Sequence, residues 1–361
     1  MEDFETLILK KQKEIYNDID DYTDSVYAIL GFCNLWSYDK QTGTNKPNVK
    51  VFQGRRLTPP TSLNLTETTT AVTPDLGIVV DDKDAILGEI KKNFPKDDSN
   101  DRQKEIFEQL KQYDQQLSGW PTPTEAVNSH ELTLLVHQMT SAYANDYFSI
   151  HKQAINFNRP FCIVSFNRVD QGDHYFFFQL VSGNPGCSMK INEPRLHYGI
   201  PIPMHALLIA YSKSKIYDAM PPLAYLLNLI WENVFTPIAA ENPKFQQLKT
   251  NSKLDIQVKV DAIVKVLQDS FSFQCWHKGY PDRQPLIPKR EWIEKACQFF
   301  VDSQVGGWLD YNEELQVHYR KLDKTLDHFI RLVSESLAKK EYQPLMFELN
   351  AHEDIINNKQ L

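Results

Sequence analysis

The chain has 361 residues, is 42% hydrophobic and 24% charged, and carries a net charge of −8. It can bury one large core or two ordinary ones, and it has no global attraction for polyanions, so a nucleic-acid partner must be met by a local basic patch. Its five cysteines (Cys33, Cys162, Cys187, Cys275, Cys297) are far apart with no Cys-x-x-Cys, which excludes a disulfide framework, a zinc ribbon and a clustered iron–sulfur site. The longest apolar runs, 199–210 and 221–231, fall short of the roughly 20 residues of a bilayer-spanning helix. No basic flank followed by an apolar stretch opens the chain, so no membrane partner is expected and the expected location is the cytoplasm.

Charge is unevenly distributed. Residues 1–40 carry 4 Lys+Arg against 9 Asp+Glu, whereas residues 244–300 carry 10 against 6. Texture changes near residues 236–252, where Pro, Asn, Gln and Lys displace apolar runs. This predicts a first domain over 1–236, a linker at 237–252, a second domain over 253–345 and a tail from 346 to 361.

Apolar residues at helical spacing predict one long helix or two consecutive ones over 7–36. A short strand at 50–52 follows, then a polar, Thr-rich stretch at 58–73. Two hairpin strands, 76–80 and 85–91, are joined by Asp81-Asp82-Lys83-Asp84 as the turn. Ile106, Leu110, Tyr113 and Leu117 form one stripe of a helix over 101–117, with Asn100 or Asp101 as N-cap. A strand at 132–136, a helix at 141–155 and strands at 161–166 and 174–181 complete an α/β (α+β) domain with a mixed central sheet flanked by helices. The second part reads as a helix over 254–269, a Pro-rich loop at 281–288, a helix over 289–303, a hairpin of 308–311 with 315–319, and a last helix over 322–340 ending before Pro344. This mainly helical domain resembles a winged helix.

Three residues carry the chemistry. Asp75 follows Pro74 at the mouth of the first hairpin strand, and Glu89 and Lys91 lie near the end of the second. Residues two apart in a strand point to one face, so a carboxylate and an ammonium are delivered side by side, and the hairpin returns them beside Asp75. Two convergent carboxylates, Asp75 and Glu89, can ligate a hard divalent cation, Mg²⁺ or Mn²⁺, leaving positions for water and a phosphate oxygen. Lys91 would orient the attacking water or neutralise developing charge.

Pro74-Asp75, thirteen intervening residues and then Glu89-Ile90-Lys91 resemble the signature of the PD-(D/E)XK nuclease superfamily. The element order inferred for residues 5–137 looks like that superfamily's restriction-endonuclease-like core. Gln109-Leu110-Lys111-Gln112-Tyr113 is similar to the Gln-x-x-x-Tyr motif of its RecB-like branch, and the i,i+4 spacing puts amide and phenol on one helix face. By the resemblance, Gln109 and Tyr113 border the metal site, and a Glu on the opening helix, Glu14 or else Glu5, adds a ligand or base. Four cluster-binding cysteines found in some RecB-like nucleases are absent. A competing acidic-x-Lys, Asp81-Asp82-Lys83, falls in the predicted turn, whereas Glu89-Ile90-Lys91 is the only Glu-x-Lys in the chain. Solvation of a strand end by Glu89 and Lys91, and of a helix face by Glu14, are the plain structural alternatives.

His130-Glu131 and His137 are seven apart, not at the i,i+4 spacing of a helical zinc pair. No phosphate loop, dinucleotide fingerprint or nucleophile elbow appears, so no nucleotide cofactor is expected. Candidate phosphate contacts are Arg55-Arg56, Lys249, Lys253, Lys259, Lys265, Lys278, Arg283, Lys289, Arg290 and Lys295, with the helix 289–303 either in a major groove or in a core. The expectation is a Mg²⁺-dependent deoxyribonuclease with DNA as its partner. The resemblance implies a restriction or phage-defence endonuclease, and double-strand cleavage with one site per subunit would favour a homodimer. Cleavage of RNA, or a non-catalytic nucleic-acid-binding or regulatory protein on a nuclease-like scaffold, are the alternatives.

Overall fold

The structure, a computed structural model, describes residues 3–39, 44–45, 48–59, 71–96, 101–151, 156–169, 175–183, 194–204, 215–217, 219–247, 252–271, 287–310 and 313–357. Contacts divide the chain into two compact units. One gathers Met1–Tyr22, Met220–Ser270 and Pro288–Leu361; the other gathers Thr23–Ala219 and Phe271–Ile287. Residues 237–247 of the stretch read as a linker are folded parts of the first unit, so the units follow contacts and not the change in composition.

The second unit is built on a seven-stranded mixed sheet. Helix α1 (Phe4–Ser37) enters it, and a small ribbon follows, β1 (Tyr38–Asp39) with β2 (Thr44–Asn45). The sheet then takes β3 (Val49–Phe52), β4 (Leu76–Val80) and β5 (Asp84–Lys91), and after α2 (Asp101–Tyr113) β6 (Ser129–His137). Helix α3 (Ser141–Ile150) precedes β7 (Phe161–Val169), β8 (Tyr175–Gly183) and β9 (Ile200–Pro203). Spatial order equals chain order; β5–β6 and β6–β7 are parallel and the other neighbours antiparallel.

Alternation sorts the two faces. Phe52, Val79, Ala85, Leu87, Leu132, Leu134, Val136 and Ile163 form one core with Ile106, Leu110 and Tyr113 of α2 and Ala144, Tyr147 and Phe148 of α3. On the other face the later part of α1 packs Phe32 against Phe178 and Tyr27 against Phe176, while Asp24 accepts from Lys92 (2.8 Å) and Arg168 (3.3 Å). Gly77, the partner of Phe52 across β3–β4, carries that ring: a Cβ there would come 2.0 Å from its tip. The β4–β5 turn is made by Asp81 and Asp82 in consecutive left-handed conformations (φ 54° and 57°), as a two-strand reversal requires.

In the first unit, α4 (Leu223–Ile230) runs through a π-helical turn, Trp231–Phe235, into α5 (Thr236–Ala240). The stretch 223–240 has the length and apolar character to cross a membrane by composition, longer than the run apparent in sequence because the helix continues through Pro237. Its Leu226, Leu227, Leu229, Ile230, Trp231 and Phe235 are buried. The helix expected over 254–269 is a strand followed by a helix: β10 (Leu254–Lys259), then α6 (Val260–Phe271). Leu254, Ile256 and Val258 alternate with exposed Asp255, Gln257 and Lys259, and this two-residue period decides for the strand. Helix α7 (Arg290–Asp302) leads to a hairpin, β11 (Gly306–Asp310) and β12 (Glu314–Tyr319), and β12 pairs with both β11 and β10 in the order β10-β12-β11. The last helix, α8 (Thr325–Asn357), does not stop before Pro344 but continues through it. Most of the predicted loop at 281–288 lies outside the described residues.

Candidate active site

The β4–β5 hairpin places the predicted residues together. Register pairs Leu76 with Gly88, so Asp75 stands one step beyond the ladder, across from Glu89. Its Oδ2 accepts the Ile90 N–H at 2.9 Å and extends the pairing by a side chain. Pro74 is buried, and its carbonyl accepts the Gly54 N–H at 3.2 Å, which anchors the approach to Asp75. Glu89 and Lys91 share the face covered by α2. Lys91 Nζ donates to Glu89 Oε2 at 3.0 Å. The Tyr113 hydroxyl donates to Glu89 Oε1, and Gln109 Nε2 donates to the Tyr113 oxygen at 3.3 Å. The i,i+4 pair on α2 thus meets the Glu-x-Lys strand, with Tyr113 belonging both to the core stripe and to the carboxylate's surroundings.

Glu89 is 0% exposed, whereas Asp75 and Lys91 are half-buried. Burial, then the charge and hydrogen bond of Asp75, push the Glu89 carboxyl well above the usual carboxylate range against the opposing pull of Lys91 and Tyr113. Burial alone would lower the Lys91 ammonium, but the carboxylates of Glu89 and Asp75 outweigh it and raise it. The Tyr113 phenol is pushed up by burial and by Glu89. Two carboxyl groups in contact, one of them cut off from water, attract either a proton or a cation between them.

That donor set fits a hard divalent cation. Among the described residues no cluster of three or more His, Cys, Asp or Glu forms, and Mg²⁺ commonly takes one or two carboxylates and fills its other positions with water and phosphate oxygens. The plain alternative for Glu89, a solvated strand end, does not hold, because the side chain is fully buried.

Glu14 lies in the first unit, half-exposed, and accepts from Lys11 at 3.1 Å one turn away, as a solvated helix face does. Glu5 is in the same unit. Arg55 is not a surface cation either: it is 0% exposed and its Nε donates to the Gly119 carbonyl at 2.6 Å, while Arg56 is exposed. Lys249, Lys278 and Arg283 lie outside the described residues. On α7 the exposed positions are Arg290, Glu291, Glu294, Lys295, Gln298 and Asp302, and Arg290 is paired with Asp261 and Glu294. Trp292, Ile293, Ala296, Cys297 and Phe300 are buried, so that helix is a core element with a mixed-charge outer face.

Two residues with no sequence motif hold the C-terminal end of α2. Asp114 accepts the main-chain N–H groups of Asn158 (2.9 Å) and Arg159 (2.7 Å). His130 Nε2 donates to the Tyr113 carbonyl at 2.7 Å, with Trp120 beside the ring. In the sequence His130 stood out only beside Glu131 and His137, at a spacing that does not fit a helical zinc pair.

Burial lowers the His130 pKa to about 4 from its ordinary 6.5. The unfolded chain then binds more protons than the folded one between these values, so this residue's contribution is complete above 6.5 and is lost as pH falls towards 4. Between pH 7 and 5 the loss is about 2 kcal/mol. His328 is also lowered to about 4. The comparison that isolates His130 is therefore urea unfolding of His130→Gln against wild type: the variant keeps a donor and loses distinctly less stability across that interval.

Comparison with family models, with curated proteins and with solved structures finds no match to this chain.

Proposed function

We propose that the chain is a metal-dependent deoxyribonuclease that hydrolyses DNA phosphodiester bonds at the Asp75–Glu89–Lys91 site. The observation that carries this reading is the meeting of a buried carboxyl, a second carboxyl and an ammonium at one end of the β4–β5 hairpin, with Gln109 and Tyr113 bonded in series behind them. It is supported by the order α1, β3, β4, β5, α2, β6, with three antiparallel strands followed by a helix and a parallel strand, the succession of helix, three strands, helix and strand inferred from the sequence. A winged-helix-like first unit is supported by the succession β10, α6, α7, β11, β12 and the order β10-β12-β11.

Asp75 and Glu89 would hold Mg²⁺ or Mn²⁺, which when bound activates water and stabilises charge on phosphate. Tyr113 and Gln109 fix the Glu89 carboxylate in one orientation before substrate arrives. The Ile90 N–H does the same for Asp75. Lys91, held against Glu89, supplies positive charge to the non-bridging oxygens as a water oxygen bonds to phosphorus and the bond to the leaving oxygen breaks.

Purified protein is incubated with supercoiled plasmid, linear single- and double-stranded DNA, and RNA, in Mg²⁺ or EDTA. Nicking or degradation of DNA in Mg²⁺ alone is expected, and Asp75→Ala and Lys91→Ala remove it while leaving the fold intact. DNA binding without any metal-dependent cleavage points instead to the scaffold reading. Cleavage confined to RNA changes the substrate.

A further inference from the structure

In the first unit a concavity of about 590 Å³ is lined by Asn242, Lys244, Lys253, Leu254, Asp255 and His318. Three separate pieces of chain build it: the turn after α5 gives Asn242 and Lys244, the start of β10 gives Lys253 to Asp255, and β12 gives His318 directly across from Asp255. Its acceptors are already engaged. The Asn242 side-chain oxygen takes the Lys244 N–H at 3.0 Å, which leaves the amide NH₂ available. The Asp255 carboxylate meets His318 Nδ1 at 2.7 Å and is held below its ordinary value by His318, Gln316 and Lys253.

The donors point the other way in the balance. Lys244 and Lys253 are exposed, and neither is in an ion pair among the described residues. An ammonium has three donors and no acceptor, so two of them beside the Asn242 amide NH₂ make a wall of donors that wants a ligand rich in acceptor oxygens and negative charge. Asp255 does not reverse this, since the two ammonium groups of Lys244 and Lys253 outnumber its one carboxylate.

We propose that this concavity binds a phosphate group, that of a nucleic-acid backbone. Its openness to solvent over several hundred cubic ångströms suits one link of a polymer passing through. The nucleic-acid source rests on the nuclease reading; the phosphate chemistry does not. It also answers how a chain of net charge −8 holds a polyanion.

The test uses the full chain in EDTA, with binding of a short fluorescent DNA duplex followed by anisotropy across a salt series. Lys244→Ala/Lys253→Ala is expected to weaken binding on the order of tenfold and to reduce the slope of log affinity on log salt by roughly 2, one per lost phosphate contact. Lys244→Arg/Lys253→Arg restores both, and thermal melting of Lys244→Ala/Lys253→Ala is unchanged because both side chains are on the surface. Unaltered affinity and slope in the Ala pair overturn the proposal, whatever wild type does to plasmid. A reduced slope in a protein that does not cleave upholds the pocket and removes the nuclease. Calorimetry with inorganic phosphate completes the test: phosphate heat abolished by the double variant, with the duplex curve untouched, would reassign the pocket to a free anion and overturn the nucleic-acid source.

Discussion

Glu89→Gln is expected to abolish Mg²⁺-dependent cleavage, by a factor of about a thousand or more, and at the same time to make the metal-free protein more stable at neutral pH. Both effects come from one side chain. Gln keeps the size and one oxygen, which can accept from Tyr113 or from Lys91 but not replace both carboxylate oxygens, and it cannot supply the charge that a cation needs. The stability gain follows from linkage. Glu89 has its carboxyl raised well above the usual range by burial and by Asp75, so the folded chain binds a proton that the unfolded chain has released above about 4.5. Stability therefore falls as pH rises through that interval, by about 1.4 kcal/mol for each unit of displacement. Gln needs no proton, so its advantage grows from nothing near pH 4 to its largest value above the folded pKa. Urea midpoints for wild type and Glu89→Gln at pH 4.5 and 7.5 read this difference directly. A variant that loses cleavage and also loses stability at pH 7.5 would mean that Glu89 serves the fold and not the chemistry.

Asp114→Ala carries the largest expected cost in stability. Its side chain is 1% exposed and accepts four hydrogen bonds: from Asn158 N–H (2.9 Å) and Nδ2 (3.1 Å), from Arg159 N–H (2.7 Å) and from Lys111 Nζ (2.9 Å). Truncation leaves two main-chain donors in the approach to β7 without this acceptor and removes the tie between the end of α2 and that strand. A loss of about 3–5 kcal/mol is expected, the scale for removing one member of a buried charged network. Asn at this position keeps one oxygen and should lose less. Unfolding in urea measures both. Because Asp114 adjoins Tyr113, cleavage should also fall in Asp114→Ala at temperatures well below its melting point, whereas a distant core truncation of equal cost should not have this effect.

The hairpin was legible because strand alternation and the unique Glu-x-Lys agree: each of Asp75, Glu89 and Lys91 is where a period of two puts it. The rejected Asp81-Asp82-Lys83 does lie in the turn, with two Asp in the conformation that short polar side chains tolerate. Depth was not legible. Nothing in the sequence distinguishes a Glu at a strand end from one sealed under α2, and nothing marks Arg55 as buried beside Gly119 when Arg56, its neighbour, is exposed. Asp114 was invisible for a related reason, since its partners lie 44 and 45 residues further along the chain. The strand β10 could have been found. Leu254, Ile256 and Val258 fit a two-residue period, but they adjoin α6 without a break, and the helical spacing of its apolar residues masks the change of period.

The two compact units differ in how their chain segments are collected. One is nearly continuous, from Thr23 to Ala219, while the other joins the first twenty-two residues to segments beginning at Met220. During synthesis, at about 5–20 residues per second, the sheet can close and occupy its fold while the opening residues still await partners that the ribosome has not yet made. Residues 4–22, the earlier turns of α1, therefore gain their partners in that unit only after the chain beyond Met220 has been made, whereas the later turns of the same helix pack on a sheet whose strands are complete by Pro203.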